Sequence, residues 1–287
     1  TALNLTNDTT TALEASGIVN GTAGTNPTGS VLGNDTGTSP TVTGIQLLSA
    51  STATAVNAGT NSTSGTPITG QYGTLKIGAD GSYVYTVDNA NANVQALRTT
   101  SNTLNEVFTY TATDSSGSKT ASLAVTIQGA NDAPTLVVAE PDKTGLLVGT
   151  AINSFSVAGN FADVDSTANG ETATYTASPL PAGITFNAAT GTFSGTPTAA
   201  GTTSVTVTRT DAGGLSVSDT FDIVIADVIT KTVAFSSMTK DSGTVVVGDN
   251  DNWLTSDASS GRLVSGTISA ALGTNEVVKV YANGTEI

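Results

Sequence analysis

The sequence predicts an all-β chain of β-sandwich modules arranged end to end, and three observations predict it. Apolar residues alternate strictly in runs such as Glu106-Val-Phe-Thr-Tyr-Thr-Ala-Thr113 and Lys119-Thr-Ala-Ser-Leu-Ala-Val-Thr-Ile127, the two-residue period of a half-buried strand. Gly, Pro, Asn and Asp punctuate those runs at short intervals, as turns between short strands require. One segment also recurs: Thr111-Ala-Thr-Asp114-Ser-Ser-Gly117 before Leu123–Ile127 matches Thr208-Arg-Thr-Asp211-Ala-Gly-Gly214 before Phe221–Ile225. The two Asp residues are 97 positions apart, about one sandwich domain.

Composition narrows the function classes. The 287 residues are 38% hydrophobic and 11% charged, with 31 Gly, 54 Thr and 29 Ser. A disordered chain shares such polarity, but it has no use for alternating apolar runs. Thr is a strand former with a polar tip and suits the solvent face of a sandwich. The net charge of −14 repels nucleic acid and anionic lipid, and carboxylates in this number suit hard cations. With no Cys and no His, soft zinc sites, thiol nucleophiles and His-based triads are excluded, and metal ions are left to replace disulfides as staples. No apolar run approaches the roughly 18 residues of a membrane helix. No signal peptide opens the chain, and its abrupt start and stop read as an excerpt of a longer protein.

Taken in order, residues 1–43 are Thr-, Asn- and Gly-rich, with weak strands near Ala2–Leu5 and Gly29–Leu32. A hairpin follows: Tyr72–Ile77, the turn Gly78-Ala-Asp-Gly81, then Ser82–Val87, with Asp-Gly supplying the positive φ of the turn. Asn91–Arg98 is the one helix-like stretch, and the two alternating strands Glu106–Thr113 and Lys119–Ile127 close the first module. Seven short strands are predicted in the second, near Thr135–Ala139, Ser154–Ala158, Ala173–Ser178, Gly183–Phe186, Thr190–Ser194, Thr203–Thr210 and Leu215–Ile225. That number and spacing suit an immunoglobulin-like sandwich. From Asp227 the pattern restarts with Thr244–Val247, Leu263–Ser269 and Val277–Tyr281. This third piece is too short for an independent sandwich and is expected to be truncated or completed by a partner. The expected modules are 1–130, 131–228 and 229–287.

The joint is Gly129-Ala-Asn-Asp-Ala-Pro134. Pro134 donates no ladder hydrogen bond and biases Ala133 to an extended conformation, so one strand ends and another begins here. Asn131 and Asp132 place hard oxygen donors at that boundary.

Residues 17–134, through Gly70–Tyr85, Asn93-Val-Gln-Ala-Leu97, Phe108-Thr-Tyr-Thr-Ala-Thr-Asp114 and the closing Gly-Ala-Asn-Asp-Ala-Pro134, resemble the VCBS repeat of large bacterial surface proteins. Residues 134–226, through Ala162-Asp-Val-Asp165, Leu180–Pro197 and Thr210-Asp-Ala-Gly-Gly214, resemble the cadherin-like Ig domain of the dystroglycan type. The tail, with Ser265–Leu272 and Val278–Gly284, is similar to the start of a bacterial Ig-like repeat. The resemblance implies a secreted, RTX-type adhesin whose repeats act as calcium-dependent spacers, placed at the bacterial cell surface.

In an immunoglobulin-type module Glu106 begins its strand near the outgoing joint, and Asp211 ends the equivalent strand near the incoming one. Asp163-Val-Asp165 resembles the cadherin pair facing the same joint. Glu106, Asn131, Asp132, Asp163, Asp165 and Asp211 are therefore the expected Ca2+ ligands, since calcium takes six to eight oxygens. The bland reading is that each caps a turn. The joint is shorter than a true cadherin linker and lacks its leading Asp. By the same geometry Asn34, Asp35 and Asp114 would face a preceding module, with Asn7-Asp8 as linker, and Asp227 would meet Asp249, Asn250 and Asp251 at the lower joint.

The favoured function is thus a structural extender without chemistry, its partners the neighbouring modules of the same or an identical chain. A filament, sheath or surface-layer subunit completed by strand exchange is one alternative, and a module binding a surface glycan or peptide is another. No paired carboxylates sit in a cleft-like context, so no catalytic residue and no enzyme activity are expected. Trp253 reads as a core plug of the third piece.

Overall fold

The structure is a computed structural model that describes residues 1–228, 233–238, 264–269, 281–282 and 285–286. Two compact units emerge, Thr1–Ala226 and Asp227–Ile287. The first unit is a pair of tandem β-sandwiches with separate hydrophobic cores.

The first sandwich contains β1 (Asp8–Leu13), β2 (Thr28–Ser30), β3 (Thr41–Leu47), β4 (Thr54–Ala55), β5 (Thr66–Thr69), β6 (Gly73–Ile77) and β7 (Ser82–Val87). After the short helix α1 (Ala92–Gln95) come β8 (Thr103–Asp114) and β9 (Gly117–Gln128). One sheet has the order β1-β9-β8-β3-β4 and the other β2-β7-β6-β5. The alternation along β8 and β9 sends Phe108, Tyr110, Ala112, Leu123, Val125 and Ile127 into the layer between the sheets. The β6–β7 hairpin turns as expected at Asp80-Gly81: Gly81 has φ 83°, and Asp80 Oδ1 accepts from the Ser82 amide at 2.9 Å. Helix α1 is shorter than the predicted Asn91–Arg98, and Asn91 caps it by accepting from Asn93 N. No strand forms at Ala2–Leu5, where only an Asn4–Thr36 bridge occurs. The edge strand is β1 instead, running parallel to β9 with Asp8 opposite Leu123 and Leu13 opposite Gln128.

The second sandwich contains β10 (Thr135–Leu136), β11 (Lys143–Leu147), β12 (Phe155–Ser156), β13 (Phe161–Ala162), β14 (Thr174–Ser178), β15 (Ile184–Asn187), β16 (Thr192–Gly195), β17 (Gly201–Thr210) and β18 (Ser216–Ala226). Its sheets run β11-β18-β17-β14 and β12-β16-β15, with β10 paired to β13. Between them Phe193 stacks on Phe155 at 4.9 Å and meets Phe221 edge-on at 5.8 Å, both geometries that aromatic quadrupoles favour. In the second unit β19 (Val233–Met238) pairs with β20 (Val264–Ile268), and β21 (Tyr281–Ala282) with β22 (Thr285–Glu286). The predicted strand Thr244–Val247 and Trp253 lie outside the described residues, as do most of Val277–Tyr281.

Candidate metal centre

The joint segment 129–134 is held on both sides by backbone bonds. Gly17 donates to Asn131 O at 3.1 Å and accepts from Ala133 N at 3.0 Å. Gly129 passes so close to Leu97 that an added Cβ would stand 2.7 Å from its carbonyl carbon and closer still to its Cβ. From the second sandwich the loop after β13 reaches back to α1. Ser166 N and Asn169 Nδ2 both donate to Ala96 O, at 3.1 and 2.6 Å, and Arg98 Nε donates to Asn169 O at 3.1 Å.

Acidic groups gather inside this frame. Asp132 N donates to Asp165 Oδ2 at 2.9 Å, Asp165 N to Asp163 Oδ1 at 3.1 Å, and Asn131 Nδ2 to Asp211 Oδ2 at 2.9 Å. Glu14, which has no solvent exposure, accepts from Ala130 N at 2.9 Å and Gln95 Nε2 at 3.4 Å. Glu171 accepts from Ala212 N at 3.4 Å. Arg209 Nη2 stands 3.4 Å from Asp163 Oδ2 and 3.5 Å from Glu171 Oε1.

Burial is the main force on five of these acids. It pushes Glu14 up to about 8, with the Asp132 and Asp165 charges adding, and Asp132 up to about 6, with Asp163 adding. Asp165 rises to about 7 through burial and the nearby charges of Asp163, Asp132 and Glu171. Burial also raises Asp163 and Glu171, against the opposing pull of Arg209. Ionising such a cluster without a counter-charge is unfavourable.

The cluster also carries unspent oxygens. Asn131 Oδ1, Asp132 Oδ2 and Asp165 Oδ1 are buried and meet no hydrogen-bond donor. Asp163 Oδ2 meets none either, its 3.4 Å approach to Arg209 being an ion pair without a hydrogen bond. A folded protein ordinarily satisfies such atoms, so each orphan asks for a partner. Carboxylate and amide oxygens are the donors that hard cations take. Among the described residues, no three Asp or Glu side chains already form a set that could hold a metal ion. The fit is thus one of donor type, burial and unsatisfied valence.

Of the residues expected at this joint, the structure brings together Asn131, Asp132, Asp163, Asp165 and Asp211. Glu106 is a correction. Strand phase turns it to the same inner face as Phe108 and Tyr110, where it accepts from Tyr85 Oη and from Gln71 N at 2.6 Å. Its partners belong to the hairpin of the first sandwich. Sequence reasoning missed Glu14, Glu171 and Arg209.

The expected upper set also divides. Asp35 Oδ1 accepts from Thr6 N at 2.7 Å, while its Oδ2 and Asp8 Oδ2 stand 3.2 and 3.1 Å from the Tyr110 hydroxyl. Asp8 is raised chiefly by burial, and the hydrogen bond from the Tyr110 hydroxyl opposes that. Asp114 instead accepts from Ser116 N at 2.7 Å and Thr38 N at 2.8 Å. The Ser116 hydroxyl, then the Thr38 amide, hold its carboxyl below the usual range. Asp227 is exposed, and Asp249, Asn250 and Asp251 lie outside the described residues.

Residues 134–226, the second sandwich, match the family described as "Putative Ig domain". Among solved structures, the chain is similar to the first four extracellular cadherin domains of protocadherin gamma B7. Identity there is 14% and the TM-score 0.42, over 84% of this chain and 55% of that one, so the chain spans about half of that fragment. It is also similar to mouse cadherin-23 repeats EC22–24, at 18% identity and TM-score 0.45 over 82% of this chain and 69% of that one. A weaker likeness is to an endo-fucoidan hydrolase of glycoside hydrolase family 107, at 15% identity and TM-score 0.27, over 79% and 29% of the two chains. No curated protein matches the chain.

Proposed function

We propose that this chain is an extender segment of a bacterial cell-surface adhesin, outside the cell, in which calcium stiffens the joint between successive β-sandwiches. One observation carries the proposal: buried oxygens lack donors on residues of the linker (Asn131, Asp132) and of the second sandwich (Asp163, Asp165), whose backbone-to-carboxylate hydrogen bonds bring them to one boundary. A hard cation satisfies both the unspent lone pairs and the like-charge repulsion. Asn131, Asp132 and Asp165 would hold it, with Glu14, Asp163 and Asp211 beside them. When bound, calcium supplies charge neutralisation and a crosslink between the two modules. Asn131 and Asp132 then tie the end of the first sandwich to the loop after β13, and the hydrogen bonds at Ala96 hold that loop against α1. The resemblance of residues 17–134 to the VCBS repeat supports the surface setting, and the modules are taken as 1–130, 131–228 and 229–287.

Calorimetric titration with CaCl2 tests this, with Asp132→Asn/Asp165→Asn as the comparison. Saturating calcium should stabilise the chain by about 2.7 kcal/mol once it stands a hundredfold above Kd, and the double variant should lose that gain. Chelation should also lower the melting temperature and shorten the maximum dimension in solution scattering. Equal heats and melting curves with CaCl2 and EDTA would refute the proposal.

A further inference from the structure

The joint's acids divide by the company they keep. On one side Asp163 and Glu171 face Arg209 at 3.4 and 3.5 Å, and no side chain of the three exceeds 8% exposure. On the other, Asn131, Asp132 and Asp165 present buried oxygens without donors, and among the described residues no ion pair reaches them. Arg209 arrives there by strand phase. Burial follows Val205, Val207 and Arg209 along one face of β17 and continues to Asp211 just beyond its end. The guanidinium is therefore a core-facing group covalently held among acids, and no fall in free calcium removes it.

Resting on the reading that a divalent cation occupies this joint, we infer that Arg209 is a built-in counter-ion that reserves the Asp163–Glu171 side and limits the joint to one such cation. Two physical reasons support it. A second divalent ion beside a desolvated guanidinium meets strong like-charge repulsion in a low-dielectric site. Arg209 also cancels one of the two negative charges of Asp163 and Glu171, so that side offers a second divalent ion at most one net negative charge. One Arg209 amine, Nη1, is buried without an acceptor. The guanidinium, with five donors in a fork, thus keeps capacity to hold a further carboxylate in calcium-free chain.

The test counts calcium per full-length chain by native mass spectrometry and equilibrium dialysis against CaCl2, for the parent, Arg209→Gln, Arg209→Lys and Asp132→Asn. The parent should hold an ion that Asp132→Asn loses. Arg209→Gln should hold one more ion than the parent, and Arg209→Lys, which keeps the charge, should hold the parent's number. An unchanged count in Arg209→Gln overturns the inference and leaves the calcium reading standing. A parent with no ion sensitive to Asp132→Asn overturns the calcium reading itself. If Arg209→Gln lacks the near-ultraviolet dichroism of the folded chain, Glu171→Gln decides. Under this inference it keeps the parent's ion count with affinity within about threefold, and loss of the ion would make Glu171 a ligand and overturn the proposal.

Discussion

At the scale of the residue, the joint couples protons to folding. Glu14, Asp165 and Asp132 are raised to about 8, 7 and 6 in the folded chain, well above ordinary carboxylates. A carboxyl raised by folding binds its proton more tightly in the native state. Its stabilisation is complete below the unfolded value and is lost as pH climbs through the folded one. In EDTA the melting temperature should therefore fall as pH rises from about 5 to about 8.5, and Glu14→Gln should remove the upper part of that fall. With calcium the trend should reverse, because the ion competes with protons for the same oxygens. Scanning calorimetry across that range, with and without CaCl2, checks both slopes. Glu106 makes a separate residue-level case, because Tyr85→Phe removes one donor from a buried carboxylate. The expected loss is about 1–3 kcal/mol in urea unfolding, with no change in calcium binding. That last clause separates Glu106 from the joint where its position at the start of a strand had placed it. Asn131, Asp132, Asp163, Asp165 and Asp211 were legible because they stand in short motifs. Glu14 and Glu171 stand alone in the chain, and Arg209, though inside the repeated Thr208–Gly214 segment, is marked only by strand phase: it continues the buried series Val205, Val207.

At the scale of the element, alternation was a sound guide where a strand is long and half buried. Strands β8, β9 and β17 each cover the predicted run and extend beyond it, and β18 matches its predicted run to within one residue at each end. Sequence reasoning overlooked β1, β3, β4, β5, β11 and β13, which are short, or rich in Thr and Gly, or lie at a sheet edge. There the pairing is supplied by a neighbour rather than by the segment's own pattern. The parallel edge strand β11 shows this: Lys143-Thr-Gly-Leu-Leu147 has no alternation, yet it pairs along β18 with a register shift between Lys143 and Leu146. Likewise the segment Thr135–Ala139 forms only the two-residue strand β10. The joint depends on one close approach that the sequence marks only as a glycine. Gly129→Ala would drive a methyl group into Leu97, displacing the segment just after α1 that carries Ala96 and Arg98. Overpacking of this kind costs about 1–3 kcal/mol. Hydrogen exchange at Ser166 N, bonded to Ala96 O at 3.1 Å, should speed up in that variant while the β17–β18 amides keep their protection. Uniform loss of protection would show that the joint is not a separable element.

At the scale of the whole molecule, the question is whether the joint between the sandwiches is one state or many. Hydrogen bonds from Ser166, Asn169 and Arg98 already bridge the joint, so the calcium proposed for it would act on a partly ordered boundary. Opposing that order, Glu14, Asp132, Asp163, Asp165, Glu171 and Asp211 are all buried or nearly so at this boundary, and among the described residues Arg209 pairs only with Asp163 and Glu171. At pH above the raised carboxyl range their mutual repulsion favours opening. On the proposed reading a bound divalent ion would reverse that balance, because it would make its full set of contacts only when both modules are in place. The chain has no Cys, so two introduced thiols label one position in each sandwich without background. Ser51→Cys and Thr198→Cys lie at exposed sites of the first and second sandwich. Pulsed electron resonance between spin labels there should give one narrow distance distribution at pH 8 in CaCl2 and a broader one in EDTA. Adding Asp132→Asn/Asp165→Asn should leave the broad distribution whatever the calcium. A parent distribution of equal width in both buffers would mean that the hydrogen bonds at Ala96 and Asn169 alone hold the joint, and calcium would then have no mechanical role here.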